Sequence, residues 1–269
     1  LDKTLSTIII KMLIKKSKKL PPELTTEKLK QYIQDRMLFR KEQFVLEPSL
    51  NNPEGGFFGD VCMDWQIEYI FRPIDERDEN GYPKYRLLYT GLPKKFGKTA
   101  LMAGEAIVQL LLSPRPTEEN YILAGDRDQA SYVLKKVKDF IERNPNFIDL
   151  FTIYKNEIIV ESTKAMIQVL TSEAKTKQGR NPDWFLFDEF WNQPDRDLYD
   201  TMFLGMAAKI YSQGIIITNA GFDKKSICWE VRELCRSEEF KNFYFFEPTG
   251  SLLESLQVPW ISPQWLEIE

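Results

Sequence analysis

Pro93-Lys94-Lys95-Phe96-Gly97-Lys98-Thr99 decides the fold. Upstream, residues 86–89 read as a short apolar strand. Downstream, Lys98–Leu112 has the length and apolar density of a buried helix, stopped by Ser113-Pro114. A glycine, a lysine and a hydroxyl at a strand-to-helix turn have the makings of a phosphate cradle. The loop amides and the helix N-terminus face the anion, the lysine reaches the terminal phosphates and the hydroxyl holds magnesium. The spacing is unusual, because five residues separate Gly91 from Gly97 and Leu92 stands where an earlier glycine is customary. Lys94 and Lys95 either add positive charge beside a triphosphate or are surface lysines on a turn.

Outward from this loop, strands and helices alternate. Strands are expected at residues 121–124, 184–187, 214–218 and 243–246, and Glu157–Val160 pairs with 166–170. Helices are expected at 128–143, 197–210 and 226–236. Undiluted apolar strands separated by helices predict an α/β fold, a mostly parallel central sheet flanked by helices. Before it, residues 1–50 read as a helical arm. Thr25 or Thr26 is the candidate N-cap of a helix running to Lys41. Residues 63–71 read as a short helix ended by Pro73, and 75–82 as a charged tip closing on Asn80-Gly81.

Two further stretches carry chemistry. Trp184-Phe185-Leu186-Phe187-Asp188-Glu189 is a buried strand that delivers two carboxylates to its C-terminal edge, where ligands bind in open α/β sheets. Asp188 suits a magnesium shell, and Glu189 suits orienting and deprotonating a water. Ile215-Ile216-Ile217-Thr218-Asn219-Ala220-Gly221 ends another buried strand in small polar groups. Thr218 and Asn219 are placed to sense a γ-phosphate, unless the stretch is only a strand and its turn.

Composition narrows the chemistry. The 269 residues include no histidine, which excludes histidine bases, triads and the commonest zinc sites. Three scattered cysteines fit a reducing compartment rather than a disulfide framework. Net charge is −4, but residues 1–41 alone carry +7 and the remainder −11. Such an arm suits nucleic acid or an acidic partner, or is a solvated helix face. The longest early apolar run, residues 8–10, is far too short to span a bilayer, so no membrane is expected.

Taken in order, these stretches resemble the large subunit of tailed-bacteriophage terminases, over residues 63–230. Asp64-Trp65-Gln66 resembles the family's adenine-recognition motif, and residues 93–99 its Walker A form, in which an early basic residue replaces the first glycine. Residues 124–130 resemble the segment after the second strand. Asp188-Glu189 matches Walker B with its catalytic glutamate, and residues 218–221 the coupling motif, with Asn219 as a departure.

The resemblance implies a P-loop NTPase of the additional-strand, catalytic-glutamate type. It implies an ATPase using ATP and Mg2+ to thread double-stranded DNA into a procapsid. Implied partners are the portal protein, the small terminase subunit and neighbouring copies in a ring. The implied location is the cytoplasm of the infected bacterial host, with transient docking at the portal. A helicase-like translocase of the same loop class is the alternative.

Trp65, Gln66, Pro93, Lys94, Lys95, Phe96, Gly97, Lys98, Thr99, Thr218 and Asn219 would bind nucleotide; Thr99 and Asp188 would hold the metal. Lys98 and Glu189 would be catalytic, with Arg180 as a finger reaching a neighbour's site and Lys177 its alternative. The expected divisions are a basic arm over 1–55, the ATPase core over 56–247, and over 248–269 the start of a linker toward a nuclease domain. Nuclease activity is not expected of the chain itself.

Overall fold

The computed structural model describes residues 24–48, 55–113, 115–171, 179–219, 221, 223–256, 258, 259 and 261. Its centre is an eight-stranded sheet: β1 (Leu87–Gly91), β2 (Glu119–Ala124), β3 (Phe151–Ile153), β4 (Glu157–Val160), β5 (Met166–Thr171), β6 (Trp184–Asp188), β7 (Gln213–Thr218) and β8 (Phe243–Phe246). The order across the sheet is β8-β1-β7-β6-β2-β5-β4-β3. Neighbours from β8 to β5 run parallel, and β4 and β3 return antiparallel at one edge. The additional strand is therefore β7, which lies between the strand of the phosphate loop and the strand carrying Asp188.

Both faces are covered, which is why these strands are apolar throughout rather than alternating. Trp184, Leu186, Ile215 and Ile217 pack on one side with helices α1 (Thr26–Gln34), α2 (Arg36–Gln43), α3 (Lys98–Leu112) and α4 (Arg127–Arg143). Phe185, Phe187, Tyr89 and Ile216 face the other side, against α5 (Asp197–Gly205) and α6 (Ile227–Arg236). Thr25 caps α1 as expected, accepting from the Lys28 N–H at 3.2 Å. The single arm helix expected to reach Lys41 breaks at Asp35, whose carboxylate caps α2 through the Leu38 N–H at 2.9 Å. The break swings Phe39 and Arg40 inward beside α3. Gly104 on α3 allows the approach: a Cβ there would lie 2.5 Å from the Phe44 ring.

Two other expectations are revised, and one strand is added. Pro73 does not end the helix at 63–71. A wide π turn at Ile67–Phe71 leads directly into Arg72–Asp75, and the missing proline N–H falls in the first turn of that new segment. The helix expected over 197–210 ends at Gly205 and continues as a tighter turn at Met206–Ala208. Strand β3 went unread, since three residues leave no periodicity. The tip at 75–82 forms as expected, with the Asp78 N–H donating to the Tyr82 carbonyl at 2.9 Å.

At the N-terminal end of β2, Glu118 is almost wholly buried, accepting from Ser113 and paired with Arg115 at 3.0 Å. Burial pushes its carboxyl up to about 7, against the opposing pull of Arg115. An acid whose folded pKa is raised contributes stability that is lost as pH climbs from its unfolded value through the folded one. Glu118→Gln is therefore expected to flatten the decline in unfolding free energy between about pH 4.5 and 7, measured by urea denaturation at several pH values.

Candidate active site

Register brings three strand ends together. Gly91 of β1 pairs with Thr218 of β7, and Asp188 of β6 pairs with Ile217. The Leu92 N–H donates to the Thr218 carbonyl at 2.8 Å, prolonging β1 by one bond before the chain turns. The loop then bends through two left-handed residues, Lys95 at φ 70° and Gly97 at φ 78°. Left-handed backbone costs a residue with a β-carbon roughly 1 kcal/mol, so the conformation must be held from outside. Phe96 holds it: fully buried, with its ring 5.9 Å from that of Trp65. Gly97 offers no side chain to cap α3, so the first amides of that helix face the loop. The Lys98 ammonium donates to the Leu92 and Pro93 carbonyls at 3.1 and 3.0 Å, which folds it over the loop. Lys94 and Lys95 are exposed on the turn.

The acidic tip meets this loop. Thr99 Oγ1 donates to Asp188 Oδ2 at 3.2 Å, across the end of β7. Burial and then the adjacent Glu189 charge raise the Asp188 carboxyl to about 6, against the Thr99 bond and the charge of Lys98. A buried carboxylate in that position calls for a positive partner. Glu189 itself is left-handed, at φ 49° and ψ 49°, and its N–H donates to Asp188 Oδ1 at 3.0 Å. The turn aims the two acids from one strand end. Thr218 is fully buried, and its hydroxyl donates to the Asn219 carbonyl at 3.0 Å. Asn219 Oδ1 is buried without a hydrogen-bond partner among the described residues.

Trp65 and Gln66 lie on the other flank of the loop. Gln66 is buried, and its Oε1 accepts from the Met63 N–H at 3.0 Å, fixing the orientation of the amide. It lines a cavity of about 700 Å³ together with Gly97, Leu101 and Phe140. That volume suits a small ligand, and it adjoins the phosphate loop. Arg180 is not part of this grouping. It sits toward the opposite edge of the sheet, before β6 begins, with its guanidinium 5.5 Å from the Tyr121 ring centroid and donating to the Tyr121 hydroxyl at 3.3 Å. Lys177 lies outside the described residues.

Two partners were not read from sequence. Trp191 donates its indole N–H to Glu189 Oε2 at 2.6 Å. Arg232 of α6 holds Glu247, just past β8, at 2.8 Å, and that carboxylate occupies the space over Gly91, where a Cβ would lie 2.8 Å from Glu247 Oε2. Trp191 follows Glu189 by two residues, so an exposed tryptophan beside the acids was a usable signal. The Arg232–Glu247 pair, by contrast, joins elements that only the fold brings together.

The match to the family model "Terminase large subunit, ATPase domain" covers residues 77–237. The terminase large subunits of Lactococcus phages p2 and SK1 are each 25% identical over 162 residues, 56% of this chain and 29% of theirs. The chain thus spans about three-tenths of the length of those curated relatives. The fold is similar to that of the bacteriophage HK97 large terminase, at a TM-score of 0.68, 17% identity, 80% of this chain and 43% of that one. It is also similar to the Thermus phage P74-26 large terminase ATPase domain, at 0.52, 14% identity, 65% of this chain and 82% of that one. With the phosphate loop, the acidic tip and the additional strand in one sheet edge, and the family match across them, the chain belongs to the terminase large-subunit ATPase-domain family.

Proposed function

We propose that this chain hydrolyses ATP and that the hydrolysis drives double-stranded DNA into a procapsid. The observation that carries the reading is the Thr99–Asp188 bond, which joins phosphate loop and acidic tip across β7. In the proposed site the triphosphate lies against the loop amides and the N-terminus of α3. Lys98 exchanges its two carbonyl partners for phosphate oxygens. The oxygen-only donor set of Thr99 and Asp188 fits Mg2+, a hard cation that prefers such ligands and would neutralise charge building on the phosphates. Glu189 orients water for in-line attack and takes its proton. Gln66, its amide fixed by Met63, presents its remaining capacity to the adenine edge, with Trp65 behind it. Asn219 Oδ1, without a donor among the described residues, and Thr218 read the state of the γ-phosphate.

The portal protein, the small terminase subunit and further copies of this chain in a ring are the proposed partners, and the host cytoplasm the proposed place of action. No helix among the described residues is long and apolar enough to cross a membrane. The proposed divisions remain an arm over 1–55, a core over 56–247 and a linker from 248, although α1 and α2 share the apolar cluster of the core.

The position of Arg180, far from its own Asp188, supports a role toward a neighbouring copy. Phosphate release from ATP, followed at several protein concentrations, tests this. The expected result is magnesium-dependent release whose rate per chain rises with concentration, and a fall of about 10³-fold in the concentration-dependent part for Arg180→Ala. Release that is absent at every concentration overturns the ATPase reading. A concentration-independent rate that survives the substitution overturns the role of Arg180 alone.

A further inference from the structure

Trp191 occupies a junction that neither the sequence motifs nor the family match assigns. Its indole N–H donates to Glu189 Oε2 at 2.6 Å, while its own backbone N–H donates to Thr218 Oγ1 at 3.1 Å. Its β-carbon packs against the coupling segment, 3.3 Å from where a Cβ on Gly221 would be. One residue therefore touches both the acid beside the phosphate loop and the end of β7. The residue is 39% exposed, so core packing does not account for its placement. The backbone geometry restricts Glu189 from the other side, because its left-handed turn fixes where the side chain leaves the chain.

The structure assigns Trp191 as a positioning residue for Glu189. Its indole holds Oε2 and leaves Oε1 to take the proton of water, and its backbone bond to Thr218 makes the aim of Glu189 depend on the end of β7. This rests on the reading of Glu189 as the base, and the experiment separates the two. A positioned base gains from orientation, and a misplacement of about 1 Å costs on the order of 10²-fold in rate. Trp191→Phe keeps the ring and removes the donor.

The test measures kcat and KM for ATP, with magnesium and at one protein concentration, for wild type, Trp191→Phe and Glu189→Gln. The expected result is a kcat about tenfold or more lower for Trp191→Phe with KM within about twofold, and no measurable turnover for Glu189→Gln. Wild-type kcat in Trp191→Phe beside a dead Glu189→Gln overturns the positioning role alone. Full activity in Glu189→Gln overturns the reading beneath it.

A second readout needs no turnover. The emission of Trp191, taken as wild type minus Trp191→Phe, is expected to change when Glu189→Ala removes the acceptor, the subtraction being repeated in that background. An unchanged difference spectrum overturns the contact.

Discussion

Glu189→Gln is expected to abolish steady-state ATP hydrolysis, a loss of about 10²–10⁴-fold, while leaving the affinity for ATP close to that of the wild type. Glutamine keeps the shape and can still accept the Trp191 N–H, but it cannot take a proton. Lys98→Ala should fail differently. Its ammonium lies on the Leu92 and Pro93 carbonyls, next to the N-terminus of α3, where terminal phosphates would be met. Losing it weakens nucleotide binding as well as turnover. Equilibrium binding of a fluorescent ATP analogue alongside phosphate release separates the outcomes: bound and inactive for Glu189→Gln, weakly bound and inactive for Lys98→Ala. Equal loss of binding in both would remove the distinction between base and cradle.

Arg40→Ala is expected to destabilise the fold by roughly 3–5 kcal/mol, the range for breaking a buried ion pair. Arg40 is fully buried, over the Phe71 ring at 4.6 Å, and donates to Glu105 Oε2 at 2.6 Å and Asp75 Oδ1 at 2.9 Å. Burial pushes the Glu105 carboxyl up against the opposing charge of Arg40. At Asp75 burial pushes the same way, but the charge and hydrogen bonds of Arg40 outweigh it and hold that carboxyl below its ordinary value. Removing Arg40 strands Glu105, whose Oε1 already lacks a partner among the described residues, and leaves Asp75 to Arg36 at 3.9 Å. Urea denaturation measures the loss. Combining Arg40→Met with Glu105→Met is expected to recover most of it, because the fully buried acid is gone and Asp75 stays beside Arg36, at 3.9 Å. If the single and double variants are equally unstable, packing rather than charge holds this joint.

Much of this was legible from sequence where a stretch carries its own signal. The loop at residues 93–99, the strand ending in Asp188-Glu189 and the apolar strand ending at Thr218 each declare themselves locally. The order of helices and strands then follows from hydrophobic runs of the right length. What escaped depends on distance along the chain. The break at Asp35 looks like an ordinary helical residue until its carboxylate is seen capping α2, and Pro73 reads as a stop because a π turn leaves no signature. The pairing of residues 157–160 with 166–170 was legible, but the edge strand β3 beside them was hidden by its brevity. Asp75 and Glu105 lie 35 and 65 positions after Arg40, so no local pattern in the sequence pairs them. Their burial is a property of the assembled fold. Among the site residues, the same holds for Glu247 over Gly91, whereas Trp191 stood in plain view beside the acids it serves.

The Arg40 joint has a mechanical consequence. Glu105 lies two turns along α3 from Lys98, so α2 is fastened to the very rod whose tip carries the phosphate loop. A tug on that segment would arrive at the rod through a charged rivet, bypassing the sheet altogether. Conversely, a tilt of the rod would be felt first at α2.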